Sequence, residues 1–240
     1  MGRAFNEMAE RLGTNEARRR QLLADVAHEL RTPLSVIQAN LEALIDGLYP
    51  VDEAHLRRIL EETGVMTRLL DDLQTLSTAE AGALTLHREP AGPSDLLRAA
   101  AQAFDAQANE RGVRIAIDVD DGLPTLEVDR LRIGEVLSNL LSNAIRHTPA
   151  GGEVTLAVRR VDRGMEFGVS DTGSGIEADR LPHIFDRFSR APGSSGSGLG
   201  LAIAKSLVEA HGGTIEAASV PGVTRVTFVI PFESIAGGER

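Results

Sequence analysis

An α+β chain, with a helical hairpin ahead of a mixed helix-and-strand domain, is what the sequence predicts, and three observations carry that reading. Apolar residues recur every three or four positions through the first third of the chain, the mark of helices with one buried face. After Ala81 that period gives way to alternation, the mark of half-buried strands. Between the two regimes Gly82, Pro90, Gly92 and Pro93 interrupt regular structure. With 240 residues, 42% of them apolar, the chain can build two ordinary domains.

The first segment, 15–48, carries Leu22, Val26, Leu30, Leu34, Ile37, Leu41, Leu44 and Leu48 as one helical stripe. Asp46-Gly47-Leu48-Tyr49-Pro50 then reads as a turn, and Leu56, Ile59, Thr63, Met66, Leu70 and Leu73 repeat the stripe. The first helix would be about 50 Å long at 1.5 Å per residue, too long for one equally thin partner to cover. Two hairpins pairing as a four-helix bundle would cover it, so a homodimer is expected. Residues 1–14 read as the tail of a helix arriving from upstream, which makes the chain a fragment.

In the second domain the pattern predicts a helix over 94–110 with Ser94 as N-cap, and a strand over 113–119 in which Val113, Ile115, Ile117 and Val119 alternate. A helix over 129–147, strands over 153–161 and 165–170, a helix over 199–210 and strands over 214–218 and 224–230 complete the layer. The domain division that follows is hairpin 15–81, linker 82–93, mixed domain 94–235 and a tail, 236–240.

Composition removes several classes of function. Basic residues number 25 against 35 acidic ones, a formal charge of −10, which argues against generic binding to nucleic-acid phosphates or anionic lipid. Without cysteine there are no disulfides, thiol nucleophiles or Cys-based metal sites. Aromatic residues are 3% of the chain, too few for base-stacking platforms, so the core is aliphatic. No apolar run reaches the eighteen or so residues of a membrane span, and the chain reads as soluble.

Four motifs carry chemistry. In His28-Glu29-Leu30-Arg31-Thr32-Pro33-Leu34, His28 and Thr32 share a helix face, and Pro33 removes the N–H that would bond the Glu29 carbonyl, so a bend is expected there. The run resembles the phosphoacceptor box of sensor histidine kinases. The resemblance implies that His28 Nε2 attacks phosphorus while the Glu29 carboxylate holds Nδ1–H, and that Thr32 takes part in dephosphorylating a partner protein. In Asn139-Leu140-Leu141-Ser142-Asn143-Ala144-Ile145-Arg146-His147 two amides project four residues apart from one face. Alone, they fit an interhelical hydrogen-bonding pair as well as a site for a hard cation. The run resembles the asparagine box of the GHKL ATPases (gyrase, heat-shock chaperone, histidine kinase, MutL). That resemblance makes Asn143 the Mg²⁺ ligand, puts Asn139 at the nucleotide and Arg146 beside its phosphates, and sets His147 where relatives often carry Tyr near adenine.

Asp171-Thr172-Gly173-Ser174-Gly175-Ile176 follows a strand, with Gly173 and Gly175 allowing backbone to approach a ligand. The resemblance assigns the adenine amino group to Asp171. Leu181-Pro182-His183-Ile184-Phe185-Asp186-Arg187-Phe188 is similar to the family's phenylalanine box, and Phe185 and Phe188 also suit plain core packing. Gly196-Ser197-Gly198-Leu199-Gly200-Leu201 opens a helix behind Gly193-Ser194-Ser195, and backbone N–H groups at such a start form an anion site. In this order the four boxes imply a phosphotransfer hairpin plus a Bergerat-type α/β sandwich that binds ATP, with 176–197 as a lid. The implied reaction is Mg-ATP-dependent phosphorylation of His28 and transfer to an aspartate of a response regulator. The resemblance also implies a cytoplasmic location in a membrane-anchored protein whose sensor lies outside this chain. Rival readings are a GHKL ATPase or serine kinase without phosphohistidine, and a silent dimerisation module.

Overall fold

The computed structural model describes residues 2–190 and 196–232, with side chains from Ala24 onward apart from Glu80. The tail 236–240 and Gly193-Ser194-Ser195 lie outside the described residues, as do the side chains of 1–14 and of Leu22. The chain divides into two compact units, residues 1–73 and 74–240.

In the first unit, α1 (Gly2–Ile45) runs as a single helix through Pro33, and α2 (Glu53–Glu80) follows. The helix read as starting near residue 15 therefore begins earlier. Gly47, at φ +69°, ends α1: Leu48 N–H donates to the Ala43 carbonyl at 2.9 Å and Gly47 N–H to Leu44 at 3.3 Å, which satisfies two carbonyls the helix end leaves open. Asp52 then starts α2 by accepting from His55 N–H at 3.0 Å. Tyr49 stacks on the His55 ring, 4.9 Å between centroids, so the turn is held by its own residues.

The second unit is a five-stranded sheet ordered β2-β4-β5-β7-β6 with α3 (Pro93–Glu110), α4 (Arg130–His147) and α5 (Gly200–Ala210) packed on it. Its strands are β2 (Arg114–Val119), β4 (Glu153–Val161), β5 (Gly164–Asp171), β6 (Thr214–Val220) and β7 (Val223–Pro231). The helix face of the sheet carries Val154, Leu156, Val158, Phe167, Val169 and Phe228 against Ile133, Leu137, Leu140 and Leu141 of α4, all buried. Phe167 and Phe228 face each other across β5 and β7 with rings 4.9 Å apart and nearly parallel. The edge strand β2 is charged: Arg159 of β4 pairs with Asp118 and Asp120, and Arg114 with Glu153.

Two short strands and one cap differ from the sequence reading. Glu89–Ala91 (β1), in the stretch read as linker, pairs antiparallel with Leu126–Val128 (β3), which had no assigned structure. Each has three residues, too few for a period to register, and Pro90 masks the first. Ser94 is not the N-cap of α3. Gly92 holds that position without a side-chain bond, because Pro93, with its preset φ and no N–H to satisfy, begins the helix.

The stacked Phe pair yields a stability prediction. Phe228→Ala should destabilise the second unit by about 3–5 kcal/mol, the usual cost of emptying a buried aromatic site. Urea denaturation followed by circular dichroism measures it.

Candidate active site

Because β2 and β4 are parallel, the chain must cross back over the sheet between them, and α4 makes that crossing. Its last turn therefore arrives where β4 begins. Antiparallel β5 ends at the same edge, with Asp171 opposite Val154, and the β6–β7 turn lies there too, since Thr224 faces Asp171. The ends of α4 and β5, the β6–β7 turn and the Gly-rich start of α5 meet at that one end of the sheet.

Glycines make the meeting close. A Cβ on Gly173 would lie 2.5 Å from the His147 carbonyl oxygen, and one on Gly152 2.8 Å from Thr172 Oγ1. Gly175, at φ +80°, turns the loop against the Val220 carbonyl. Gly200 leaves room for Asn139, whose Oδ1 would be 2.9 Å from a Cβ there. Asn143, one turn further along α4, is half-buried. Arg146 lies against Gly196 and Gly198 against the Phe188 backbone. Phe188 itself adopts φ +58°, a left-handed conformation costly for an aromatic residue, where the Gly-rich loop packs on it.

Asp171 is buried, and one carboxylate oxygen accepts from Gly173 N–H at 2.9 Å. Burial pushes its carboxyl above the ordinary carboxylate range, with the Gly173 bond opposing. Burial and the nearby Arg111 hold the Arg146 guanidinium below its usual value. Partial loss of solvent around the ring, then the charges of Arg146, Arg180 and Arg111, lower the His147 imidazole. This corner of the site is a cluster of cations suited to an anionic guest. Ser197 Oγ accepts from Leu199 N–H at 3.3 Å, and α5 starts without a side-chain cap, so its first N–H groups face the loop. The Leu199 side chain is fully buried, leaving only its backbone for a ligand, whereas Leu201 is half-buried.

His28 and Thr32 are exposed on α1, Glu29 is half-buried and Pro33 buried. They belong to the first unit, the other site residues to the second. The sequence reading missed Ser219, whose Oγ accepts from Ile176 N–H at 2.8 Å and ties the start of the lid stretch to the β6–β7 hairpin. It also missed Arg111, whose guanidinium donates to the Arg146 carbonyl at 3.4 Å. Neither has a local signature, since both act across long sequence separations.

Residues 18–82 match the His Kinase A (phospho-acceptor) domain, and residues 128–234 match the Histidine kinase-, DNA gyrase B-, and HSP90-like ATPase family. A phosphoacceptor hairpin joined to an ATPase-type domain defines the class. The chain belongs to the sensor histidine kinases of two-component systems. It is 37% identical over 235 residues to the signal transduction histidine-protein kinase BaeS of Escherichia coli, covering 95% of this chain and 50% of BaeS. To the sensor histidine kinase WalK of Bacillus subtilis it is 35% identical over 226 residues, covering 90% of this chain and 37% of WalK. The chain thus spans half or less of these curated relatives. Among solved structures, the histidine kinase AdeS of Acinetobacter baumannii superposes with a TM-score of 0.76 at 29% identity, covering 86% of this chain and 98% of that one. ShkA in complex with AMPPNP gives 0.70 at 30% identity, covering 92% of this chain and 47% of that one.

The raised Asp171 pKa gives a test with a definite sign. Its ionised form costs stability above its folded-state pKa, and the cost vanishes as pH falls below the ordinary value of 3.8. Asp171→Asn keeps an acceptor for Gly173 N–H and removes the charge. In ligand-free protein its urea midpoint should exceed the parent's at pH 7, with the difference shrinking toward pH 4.

Proposed function

We propose that this chain is a kinase core in which ATP phosphorylates His28 and the phosphoryl group then passes to an aspartate of a response regulator. The observation that carries the reading is the pairing of an exposed His28-Glu29-x-x-Thr32 face on α1 with a one-ended, cation-rich, glycine-lined site in the second unit. The AMPPNP complex of ShkA supports nucleotide at that site. Asp171 receives the adenine amino group beside Gly173 and Gly175, and His147 lies at the base. Asn139, Arg146, the loop N–H groups of Ser197, Gly198, Leu199 and Gly200, and Leu201 behind them, hold the triphosphate by charge and backbone dipoles. The stretch 176–197 acts as the lid.

Mg²⁺ suits the donors present. It keeps several waters and takes few protein ligands, and half-buried Asn143 offers one amide oxygen. Bound there, Mg²⁺ would neutralise charge on the triphosphate. His28 Nε2 forms the new N–P bond as the bond to the β-phosphate oxygen breaks and ADP leaves, while Glu29 orients the ring through Nδ1–H.

The hairpin acts as a homodimer. Leu34 and Leu41 of the first stripe and Leu56 and Leu70 of the second are 51%, 43%, 51% and 53% exposed in the single chain, apolar surface that a second hairpin would cover. We divide the chain as a hairpin over 15–81, a linker over 82–93 whose β1 is paired to β3, and a catalytic domain over 94–235. No described helix is long and apolar enough to cross a membrane, and a reaction that consumes ATP fits a cytoplasmic location.

Incubation with labelled Mg-ATP tests the reading: the label should be acid-labile and base-stable, the reverse of phosphoserine. His28→Gln should lose all labelling while nucleotide titration still shows binding, since nucleophile and nucleotide lie on different units. Retained labelling removes His28. Thr32, exposed one turn from His28, is placed to hold water against a docked phosphoaspartate. Thr32→Ala should keep most autophosphorylation and lose regulator dephosphorylation, both measured on one preparation; equal loss of the two would mean a helix defect instead.

A further inference from the structure

Antiparallel α4 and α5 touch at two levels. Near the site Asn139 of α4 lies against Gly200, the first residue of α5. At the far end, His211 caps the C-terminus of α5 and is 2% exposed. Its Nε2 accepts the backbone N–H of Asp129 at 3.2 Å, and its Nδ1 lies 2.8 Å from the Leu207 carbonyl oxygen. A carbonyl only accepts, so Nδ1 carries the hydrogen and Nε2 presents its lone pair, which makes the ring neutral and fixes its tautomer.

Asp129 is itself a junction. As N-cap of α4 it accepts Arg132 N–H at 3.1 Å through Oδ1, and through Oδ2 it accepts His87 N–H at 3.0 Å from the segment leading into β1. Burial opposes its ionisation, but the His87 and Arg132 N–H groups outweigh it and hold the carboxyl below its ordinary range. The two levels are spaced alike on both helices: about ten or eleven residues separate them, a rise of about 15–17 Å. The Asp129–His211 rung and the Asn139–Gly200 contact therefore fall at matching heights on the two helices.

We propose that His211 is a positioning residue for nucleotide binding, a neutral rung that sets the register of α5 on α4 and so places the Gly198–Gly200 loop against Asn139 and Asn143. The inference rests on nucleotide binding at the site described above. A proton on Nε2 would set a donor against the Asp129 N–H and break the rung. The charged groups acting on the ring are Arg88, ahead of β1, and Asp129, at the head of α4. Burial disfavours the imidazolium, the Leu207 bond favours it, Arg88 disfavours it and Asp129 favours it, with the net result below the ordinary histidine value of 6.5. The sign follows: the rung stabilises fully above 6.5 and is lost as pH falls through the lowered value.

Two substitutions separate the ring's two bonds. In His211→Asn the short amide can still donate to Leu207 but cannot reach Asp129; in His211→Gln the longer one can reach Asp129. His211→Asn should weaken Mg-ATP binding about fivefold or more at pH 7.5, roughly 1 kcal/mol, with the folded fraction by circular dichroism unchanged. His211→Gln should restore most of that affinity. In the unmodified chain, ¹⁵N shifts of the ring should show the Nδ1–H tautomer at pH 7. An Nε2–H tautomer or imidazolium there overturns the inference, as does parent-like binding by His211→Asn, equal weakness of both variants, or failure of His211→Asn alone to fold. If the parent chain itself binds no Mg-ATP, the nucleotide reading fails, and this inference with it.

Discussion

The parallel pairing of β2 with β4 organises the second unit. Parallel strands cannot be joined by a tight turn, so the chain must travel the length of the sheet between them, and α4 is the element that does so. Once α4 is committed, its C-terminal turn falls at the start of β4, and every antiparallel neighbour brings its own end there: Asp171, the β6–β7 turn, the first residues of α5. The opposite ends of α4 and α5 are left to be joined in the core, and Asp129 and His211 join them. Polar groups so deeply buried must be partnered, and each is, to more than one segment.

How much of this the sequence revealed depended on the range of the interaction. The stripes of α1 and α2, and the alternation of Val154, Leu156 and Val158, were legible because helices and half-buried strands write their period into neighbouring residues. The same is true of the site: Asn139, Asn143, Asp171 and the Gly196–Leu201 run each lie in a compact motif. Ser219, Arg111 and His211 were not legible. Their roles rest on partners 43, 35 and 82 residues away, contacts that no local pattern encodes. The strands β1 and β3 fall in the same class, since each exists only by pairing with the other. Ser94 failed as a cap for a different reason: a proline one residue earlier made the start of the helix without it.

The two units hold their folds by different means. The second unit encloses its own core, with Ile133, Leu137, Leu141, Phe167, Phe228 and Ile203 at or near complete burial. Along the hairpin the apolar residues are exposed or only half-buried, and Pro33, Leu69 and Leu76 are the buried exceptions among the described positions of α1 and α2. A long, thin helical pair shields little of its own surface, so its stability depends on what is laid against it. Local bonds, such as the Gly47 helix end and the Asp52 cap, shape the turn but contribute little to that balance.

The charges along β2 bear on how this protein behaves in a crowded solution. An outer strand carries a row of unsatisfied amides and carbonyls that invites another sheet to zip onto it, a route to aggregates. Asp118, Asp120 and Arg114 line that strand, with Arg159 and Glu153 paired to them from β4, so an approaching strand would have to strip ions of their water before any backbone bond formed. Each such pair adds little to folding stability at so exposed a position. Their value is kinetic and colloidal: they keep the edges of two such sheets from zipping together.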